Sequence, residues 1–298
     1  VATTVWIVDA FTSIPLTGNP AGVVPDARGL SESQMQAIAA EIHASETAFV
    51  LPPSQTGQAD YRIRYFTPQQ EVDLCGHATI GSICGMVAAG LLSLEHGTGV
   101  CKIETKVGVL SIRYGQDGHR VFAEMAQATP SFRALDEEAK FVAQVLGIDV
   151  ADLDLSLPME YSYTGLWDFF VPVRSLEVMR RLRPDFAAMA QWNTQNNVVS
   201  THVYTRQCVD AQHHFHSRDF APAVGIPEDP ATGTATGALA ALLYRHGHIQ
   251  SGRDYAFEQG YEIGRESVLS SRIEVCGNAV QVFVGGSGVV TLEGVLNL

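Results

Sequence analysis

Glu46, His77 and Asp229 are the side chains of this 298-residue sequence best placed to move a proton. Glu46 lies between a helix-like stretch and the apolar run Thr47 to Leu51. A carboxylate that takes a proton from one carbon and returns it to another works best where partial burial lifts its pKa toward the operating pH. The plainer reading is a glutamate that closes a helix, but a negative charge at that end opposes the helix dipole. His77 falls in the first turn of an apolar helix, where burial and the dipole both disfavour its cation. Its working form there is neutral imidazole, suited to donate or relay a proton, or it is a hydrogen-bonded structural histidine. Asp229 precedes Pro230 just before a second apolar helix, where catalysis and N-terminal capping call for the same residue.

Two short segments around these residues align in register. Cys75-Gly76-His77-Ala78-Thr79 and Thr232-Gly233-Thr234-Ala235-Thr236 share the glycine, the alanine and the final threonine, and each leads into a long apolar stretch. Two related halves are implied. Small residues expose backbone N–H groups at the start of each helix, so Gly76, Ala78 and Thr79 in one copy, and Gly233, Thr234 and Ala235 in the other, are candidate carboxylate-binding residues. Pointed at one another, the two ends would hold one small anionic molecule. Asn19 and Asp73 are further candidates for orienting its polar groups, with a turn-forming role as the alternative.

The elements that must carry these residues follow from local pattern. The first forty-five residues read strand, turn, strand, helix, with Ser31 and Gln34 as a capping box and Met35, Ile38, Ala39 and Ile42 on one helix face. Strands are expected at Thr47 to Leu51, Tyr61 to Phe66, Gly108 to Tyr114 and Val121 to Met125, the last two joined by Gln116-Asp117-Gly118. The second half repeats the plan, with helices over 135–146 and over Leu176 to Trp192, the latter broken at Pro184. Extended segments are expected at Tyr161 to Val173, Val198 to Thr205, Arg272 to Cys276, Ala279 to Val284 and Val289 to Leu296. The sum is an α+β protein of two curled sheets, each wrapped around a helix.

Bulk properties narrow the partners. A net charge of -13 without a basic run argues against nucleic acid. The apolar stretch Ala78 to Leu94 is interrupted by Gly81, Ser82, Gly85 and Gly90 and has no basic flank, so a buried helix is expected and not a membrane span. The sequence opens on strand-like alternation without a signal-peptide pattern, which points to a cytoplasmic enzyme. Five cysteines at irregular spacing suggest reduced thiols and no structural zinc site. His213-His214-Phe215-His216 reads as a polar strand or loop segment before Arg218, with no metal expected.

Five motifs in order carry a family resemblance: Gly18-Asn19-Pro20-Ala21; Ser45-Glu46-Thr47-Ala48-Phe49-Val50; Phe66-Thr67-Pro68 with Glu71 and Asp73; Cys75-Gly76-His77-Ala78-Thr79; and Glu228-Asp229-Pro230-Ala231-Thr232-Gly233-Thr234-Ala235. Together, and with Gln259-Gly260 and Gly264-Arg265, they resemble the PhzF family of phenazine-biosynthesis isomerase-like proteins. The resemblance implies a diaminopimelate epimerase-like fold of two pseudo-symmetric domains, each a barrel-like, mostly antiparallel sheet around a central helix. It places them at residues 1–124 and 125–286, with a last strand at about 287–298 crossing back, and implies a homodimer.

It further implies a cofactor-free isomerase moving a proton on a small, amino-acid-derived and cyclic carboxylate of a biosynthetic pathway, as in trans-2,3-dihydro-3-hydroxyanthranilate isomerisation. Glu46, His77 and Asp229 match the family's catalytic glutamate, histidine and aspartate, and Thr234 stands where a serine is usual. The proline of the family's Gly-Arg-Pro-Ser is Glu266 here, and Arg265 either binds substrate or braces its loop. Two alternatives remain at this stage: an amino-acid racemase or epimerase using Cys75, and a non-catalytic ligand-binding protein. Against the first, Cys75 aligns with Thr232, whose hydroxyl is too weak an acid or base for two-sided thiol exchange.

Overall fold

A computed structural model describes residues 2–135, 139–277 and 279–298 of the chain. It divides into two compact units, one of Val1–Ala126 with Gly285–Leu298 and the other of Gln127–Val284. The first holds strands β1 (Ala2–Ala10) and β2 (Asn19–Val24), helix α1 (Glu32–Ile42), and strands β3 (Thr47–Leu51), β4 (Tyr61–Phe66) and β5 (Glu71–Val72). Helix α2 (Gly76–Ala88) and strands β6 (Thr98–Thr105), β7 (Gly108–Asp117) and β8 (Arg120–Ala126) complete that run. The second unit begins with β9 (Ser131–Arg133), α3 (Ala139–Leu146), β10 (Tyr161–Tyr163), β11 (Trp167–Pro172), α4 (Leu176–Arg181) and α5 (Phe186–Gln195). It continues with β12 (Ser200–Thr205), β13 (Phe215–Ala221), β14 (Ile226–Asp229), α6 (Gly233–Arg245), β15 (Asp254–Gln259) and β16 (Ser267–Cys276). The last strand, β17 (Ala279–Asn297), starts in the second unit and ends in the first.

Strand pairing repeats between the units. In the first, β1–β2 is antiparallel, β2–β3 parallel, β3–β4 antiparallel, β4–β5 antiparallel, β4–β6 parallel and β6–β7 antiparallel. In the second, the same succession runs through β10–β11, β11–β12, β12–β13, β13–β14, β13–β15 and β15–β16. The short duplicated segment is thus the visible remnant of a duplicated topology. In the first unit β17 pairs with both β1 and β8, which closes the sheet into a barrel.

A helix that is apolar on every side must be surrounded, and each barrel supplies the surroundings. All of α2 from Ala78 to Val87 is buried, and it touches β1, β2, β3, β7 and β8. Ala235 to Leu243 of α6 are likewise buried. The fit around α2 is close. A Cβ on Gly288 of β17 would lie 2.7 Å from the Cβ of Cys84, and one on Gly85 would lie 3.1 Å from the Trp6 ring. The second unit has another core outside its sheet, where Phe169, Val171, Val203 and Phe220 meet Met179, Met189 and Trp192.

Several elements differ from the sequence expectation. β6, β14 and β15 were not foreseen, and Tyr161 to Val173 is a hairpin of β10 and β11. The two final strands are one, because Gly285-Gly286-Ser287-Gly288 stays extended where it passes α2. The apolar stretch expected to run to Leu94 stops being helical at Ala88, two residues before Gly90 at φ 71°. Of the helix expected over 135–146, Ala139–Leu146 is helical; residues 136–138 lie outside those described. Among the described residues no helix is long and apolar enough to cross a membrane.

Each unit also carries the same ionic brace ahead of its buried helix. Arg64 of β4 donates from Nε and Nη2 to the two oxygens of Glu71 at 2.7 and 2.8 Å, and lies 5.1 Å from the Phe66 ring centre. Arg218 of β13 donates in the same way to Glu228 at 2.9 and 2.7 Å, and lies 5.0 Å from the Phe220 ring centre. The forked geometry fixes β5 and β14, the strands that lead to α2 and α6.

The Arg64 hydrogen bonds hold the Glu71 carboxyl down at about 2, against burial and with help from Lys106. A carboxylate depressed by folding adds stability that is present above its unfolded pKa and is lost as pH falls through the folded value. Wild type is therefore expected to lose about 2 kcal/mol more than Glu71→Gln between pH 5 and pH 2.5, after allowance for partial solvent screening. Urea unfolding at the two pH values checks this; equal losses would show that the pair contributes nothing.

Candidate active site

Glu46 is held at a junction the chain cannot easily change. His43, at φ 57°, ends α1 in the left-handed conformation, and the Glu46 carbonyl accepts the Gly22 N–H at 3.0 Å as the β2–β3 pairing begins. The backbone is thereby pinned while the side chain extends toward the start of α2. There its Oε2 lies 3.4 Å from Nε2 of His77, with side-chain exposures of 19% and 12%. Ser45 Oγ is 3.3 Å from the same nitrogen, and Cys75 Sγ is 3.4 Å from Nδ1.

Burial lowers the pKa of His77, and the Glu46 charge only partly offsets it. The imidazole is thus neutral at ordinary pH and carries one proton. With that proton on Nε2, the nitrogen that meets the Ser45 hydroxyl and faces Glu46, Nδ1 is left as acceptor for the Cys75 thiol.

Glu46, Cys75 and His77 also form a group of possible metal ligands, with one donor atom each within 4.8 Å of one another. Sulfur, nitrogen and oxygen suit Zn²⁺, whose tetrahedral ligands stand roughly 3.3 to 3.6 Å apart. Glu46 Oε2 already stands 3.4 Å from Nε2, whereas Cys75 Sγ is 3.9 Å from that nitrogen and lies closer to Nδ1, so the sulfur would have to move for all three to share one ion. The histidine cluster near residue 215 is engaged differently. His213 and His216 bond the buried Glu258 carboxylate at 2.8 and 2.7 Å, and His216 also reaches Glu262 at 3.1 Å. Burial would raise Glu258, but the bonds from His216, from the Asp210 and Val209 N–H groups and from His213 prevail and hold it at about 2.

The other residues expected in the first unit are placed as follows. Gly76 is partly open to solvent at the start of α2, and Ala78 is buried one turn in. Thr79, expected to bind substrate, is fully buried. Its hydroxyl donates to the Cys75 carbonyl at 2.7 Å and meets Tyr65 Oη at 2.6 Å, so it fastens the first turn from within. Asn19 is 2% exposed and opens β2 opposite Ala10, while Asp73 is exposed just past β5.

In the second unit Gly233 and Thr234 are partly exposed at the start of α6, and Ala235 is buried. Thr234 is fixed through its carbonyl, which accepts the Thr164 hydroxyl at 3.0 Å. Asp229 ends β14 and accepts the Thr232 hydroxyl on Oδ2. Gln259 reaches the same place, with its Nε2 2.8 Å from the Asp229 carbonyl. Arg265 braces its loop through its backbone: its N–H donates to the Gly260 carbonyl at 2.9 Å, and its carbonyl accepts Ser267 Oγ at 2.9 Å.

The two helix tips are built alike. Cys75 and Thr232 are both N-cap residues, both extended, and neither turns its side chain back to cap the helix. The first-turn N–H groups, with the positive end of the dipole, are therefore not taken by the capping side chain. Sequence reasoning named Ser45 and Gln259 inside motifs without a site role, and gave Cys75 one only in the racemase alternative. Their contacts are made across 32, 2 and 27 residues of chain, and of these only the Cys75–His77 spacing is a local signal.

Comparison with known proteins agrees in both sequence and structure. The family model for phenazine biosynthesis-like protein matches residues 8–294. The chain is 38% identical over 297 residues to the trans-2,3-dihydro-3-hydroxyanthranilate isomerase of Pseudomonas chlororaphis, covering 98% of each chain. It is 34% identical over 291 residues to an uncharacterized isomerase, YfhB, of Bacillus subtilis, covering 97% of each. The crystal structure of a Bacillus anthracis phenazine biosynthesis protein of the PhzF family matches with a TM-score of 0.91 at 36% identity over the whole of both chains. The chain belongs to the phenazine biosynthesis-like, or PhzF, family, and its relatives there are named isomerases.

Proposed function

We propose that this protein is a cofactor-independent isomerase that moves a proton between carbons of a small, amino-acid-derived carboxylate, with Glu46 as the shuttle. The observation that carries the reading is the Glu46–His77 contact of 3.4 Å at the start of a buried helix. Glu46 takes a proton from one carbon of the substrate and delivers one to a second carbon. The neutral His77, 3.4 Å away, donates to Glu46 as that contact tightens in the substrate complex. The N–H groups around Gly76 at the start of α2 stabilise negative charge that develops on the substrate, and Asp229 is a second candidate acid or base.

The relatives support a compound to try first: trans-2,3-dihydro-3-hydroxyanthranilate, on which the P. chlororaphis relative is named to act. The experiment is incubation of the protein with that compound in D₂O, followed by NMR. Isomerisation with deuterium at the newly protonated carbon is the expected result. Isomerisation without deuterium uptake at any rate of turnover would remove a solvent-exchanging carboxylate from the mechanism.

A further inference from the structure

Cys75 and Thr232 hold the same position in the two units, and each is turned onto a side chain proposed to act in the reaction. Cys75 Sγ meets His77 Nδ1, and Thr232 Oγ1 donates to Asp229 Oδ2. In the second unit the line extends one residue deeper. Gln259, the last residue of β15, has no solvent exposure. Its Nε2 donates to the Asp229 carbonyl at 2.8 Å and to Thr232 Oγ1 at 3.0 Å, while its Oε1 accepts the Thr232 N–H at 3.1 Å.

Two backbone groups decide which way round this amide stands. A carbonyl can only accept and an N–H can only donate, so the nitrogen must face Asp229 O and the oxygen must face Thr232 N. Thr232 Oγ1 therefore accepts a hydrogen bond from Gln259. Its own single proton is left for Asp229 Oδ2, and the direction Gln259 to Thr232 to Asp229 is fixed. Such a line suits a carboxylate at its end, because a hydroxyl that is itself accepting a bond donates more strongly.

The surroundings hold the line in place. Gly260, at φ 83°, follows Gln259, and a Cβ there would lie 2.4 Å from Arg265 O and 2.6 Å from Pro230 O. Ser267 Oγ donates to the same Pro230 carbonyl at 3.1 Å. The first unit has no counterpart to the amide. By strand register its equivalent position, one step beyond the Arg62–Glu104 pair, is Thr105, whose hydroxyl turns back onto the Gly108 carbonyl at 2.9 Å. The arginine–glutamate brace is common to both units, and the Gln259 relay occurs in the unit that carries Asp229.

We propose that Gln259, acting through Thr232, is the positioning residue of Asp229: it sets the orientation of that carboxylate for the proton transfer. The inference rests on the proton-transfer reading above. It is tested with Thr232→Val, which keeps the shape and removes the hydroxyl; Thr232→Ser, which restores the hydroxyl; and Gln259→Glu, which cannot donate to Thr232. Crystal structures of the three variants are compared with that of wild type, and kcat and KM for deuterium uptake by trans-2,3-dihydro-3-hydroxyanthranilate are measured.

Thr232→Val and Gln259→Glu are expected to lower kcat about 10- to 100-fold with KM changed less than about twofold, and Thr232→Ser to recover most of the loss. In the crystals the Asp229 carboxylate turns away in Thr232→Val and returns in Thr232→Ser. An Asp229 that stays in place in Thr232→Val, or a Thr232→Val enzyme with the kcat of wild type, overturns the proposal. Should wild type itself leave the compound unchanged, the failure belongs to the reading of the reaction on that substrate, and the orientation of Asp229 in the crystals decides the relay alone.

Discussion

Glu46→Gln is expected to slow deuterium incorporation into trans-2,3-dihydro-3-hydroxyanthranilate about 10²- to 10⁴-fold, the range over which a positioned acid or base contributes to proton transfer. Glutamine has the shape of glutamate and keeps an oxygen for the Nε2 proton of His77, so the contact at 3.4 Å can persist. The residue's backbone is tied to Gly22 through its carbonyl, which the substitution does not touch. What disappears is the capacity to accept and return a proton. KM is expected to change little, because the proposed mechanism gives substrate binding to the N–H groups at the start of α2. NMR-monitored exchange measures the effect, and a variant exchanging at the wild-type rate would take Glu46 out of the chemistry.

Arg218→Met is expected to cost about 3 to 5 kcal/mol of stability, as breaking a buried ion pair on one side does. Both partners are only 10% exposed in their side chains, and Arg218 also donates from Nη1 to the Met179 carbonyl at 2.8 Å. Methionine fills the space of the stem but leaves the Glu228 carboxylate without its fork. A second substitution, Glu228→Gln, removes that stranded charge, so the double variant should recover a large part of the loss. Urea unfolding of wild type, both single variants and the double variant measures the coupling. A loss for Arg218→Met below about 1 kcal/mol would class the pair with ordinary surface bridges. Because Glu228 adjoins Asp229, activity should fall along with stability in the single variant.

What could be read in the sequence was local or duplicated. The capping box of Ser31 and Gln34 lies within one turn, and the structure shows both of its bonds. The twin segments at Cys75 and Thr232 could be aligned by eye, and they mark the two N-caps. What could not be read depends on partners distant in the chain. β13 is buried along its whole length although it contains His216, Ser217, Arg218 and Asp219. Hydropathy misses such a strand because its polar groups are satisfied by Glu258, Glu228, Ser200 and His202 on neighbouring elements.

The two braces escape pattern reading for a related reason. Arg64 and Glu71 are seven residues apart, and Arg218 and Glu228 are ten, since the β13–β14 connection carries an additional short turn over 222–224. Glycines misled in the other direction. Gly285 to Gly288 fell between two expected strands, but they serve as smooth backbone where β17 runs past Cys84.

β17 has a consequence for how the molecule comes into being. β1 has β2 along one edge, but the neighbour along its other edge is β17, in which Asn297 pairs with Ala2. During synthesis the first barrel keeps one seam open until β17 has been made. Contacts of such long sequence separation are slow to form. Translation of the early portion alone should leave a sheet with two bare edges, a species that chaperones would be called on to shield until the tail arrives.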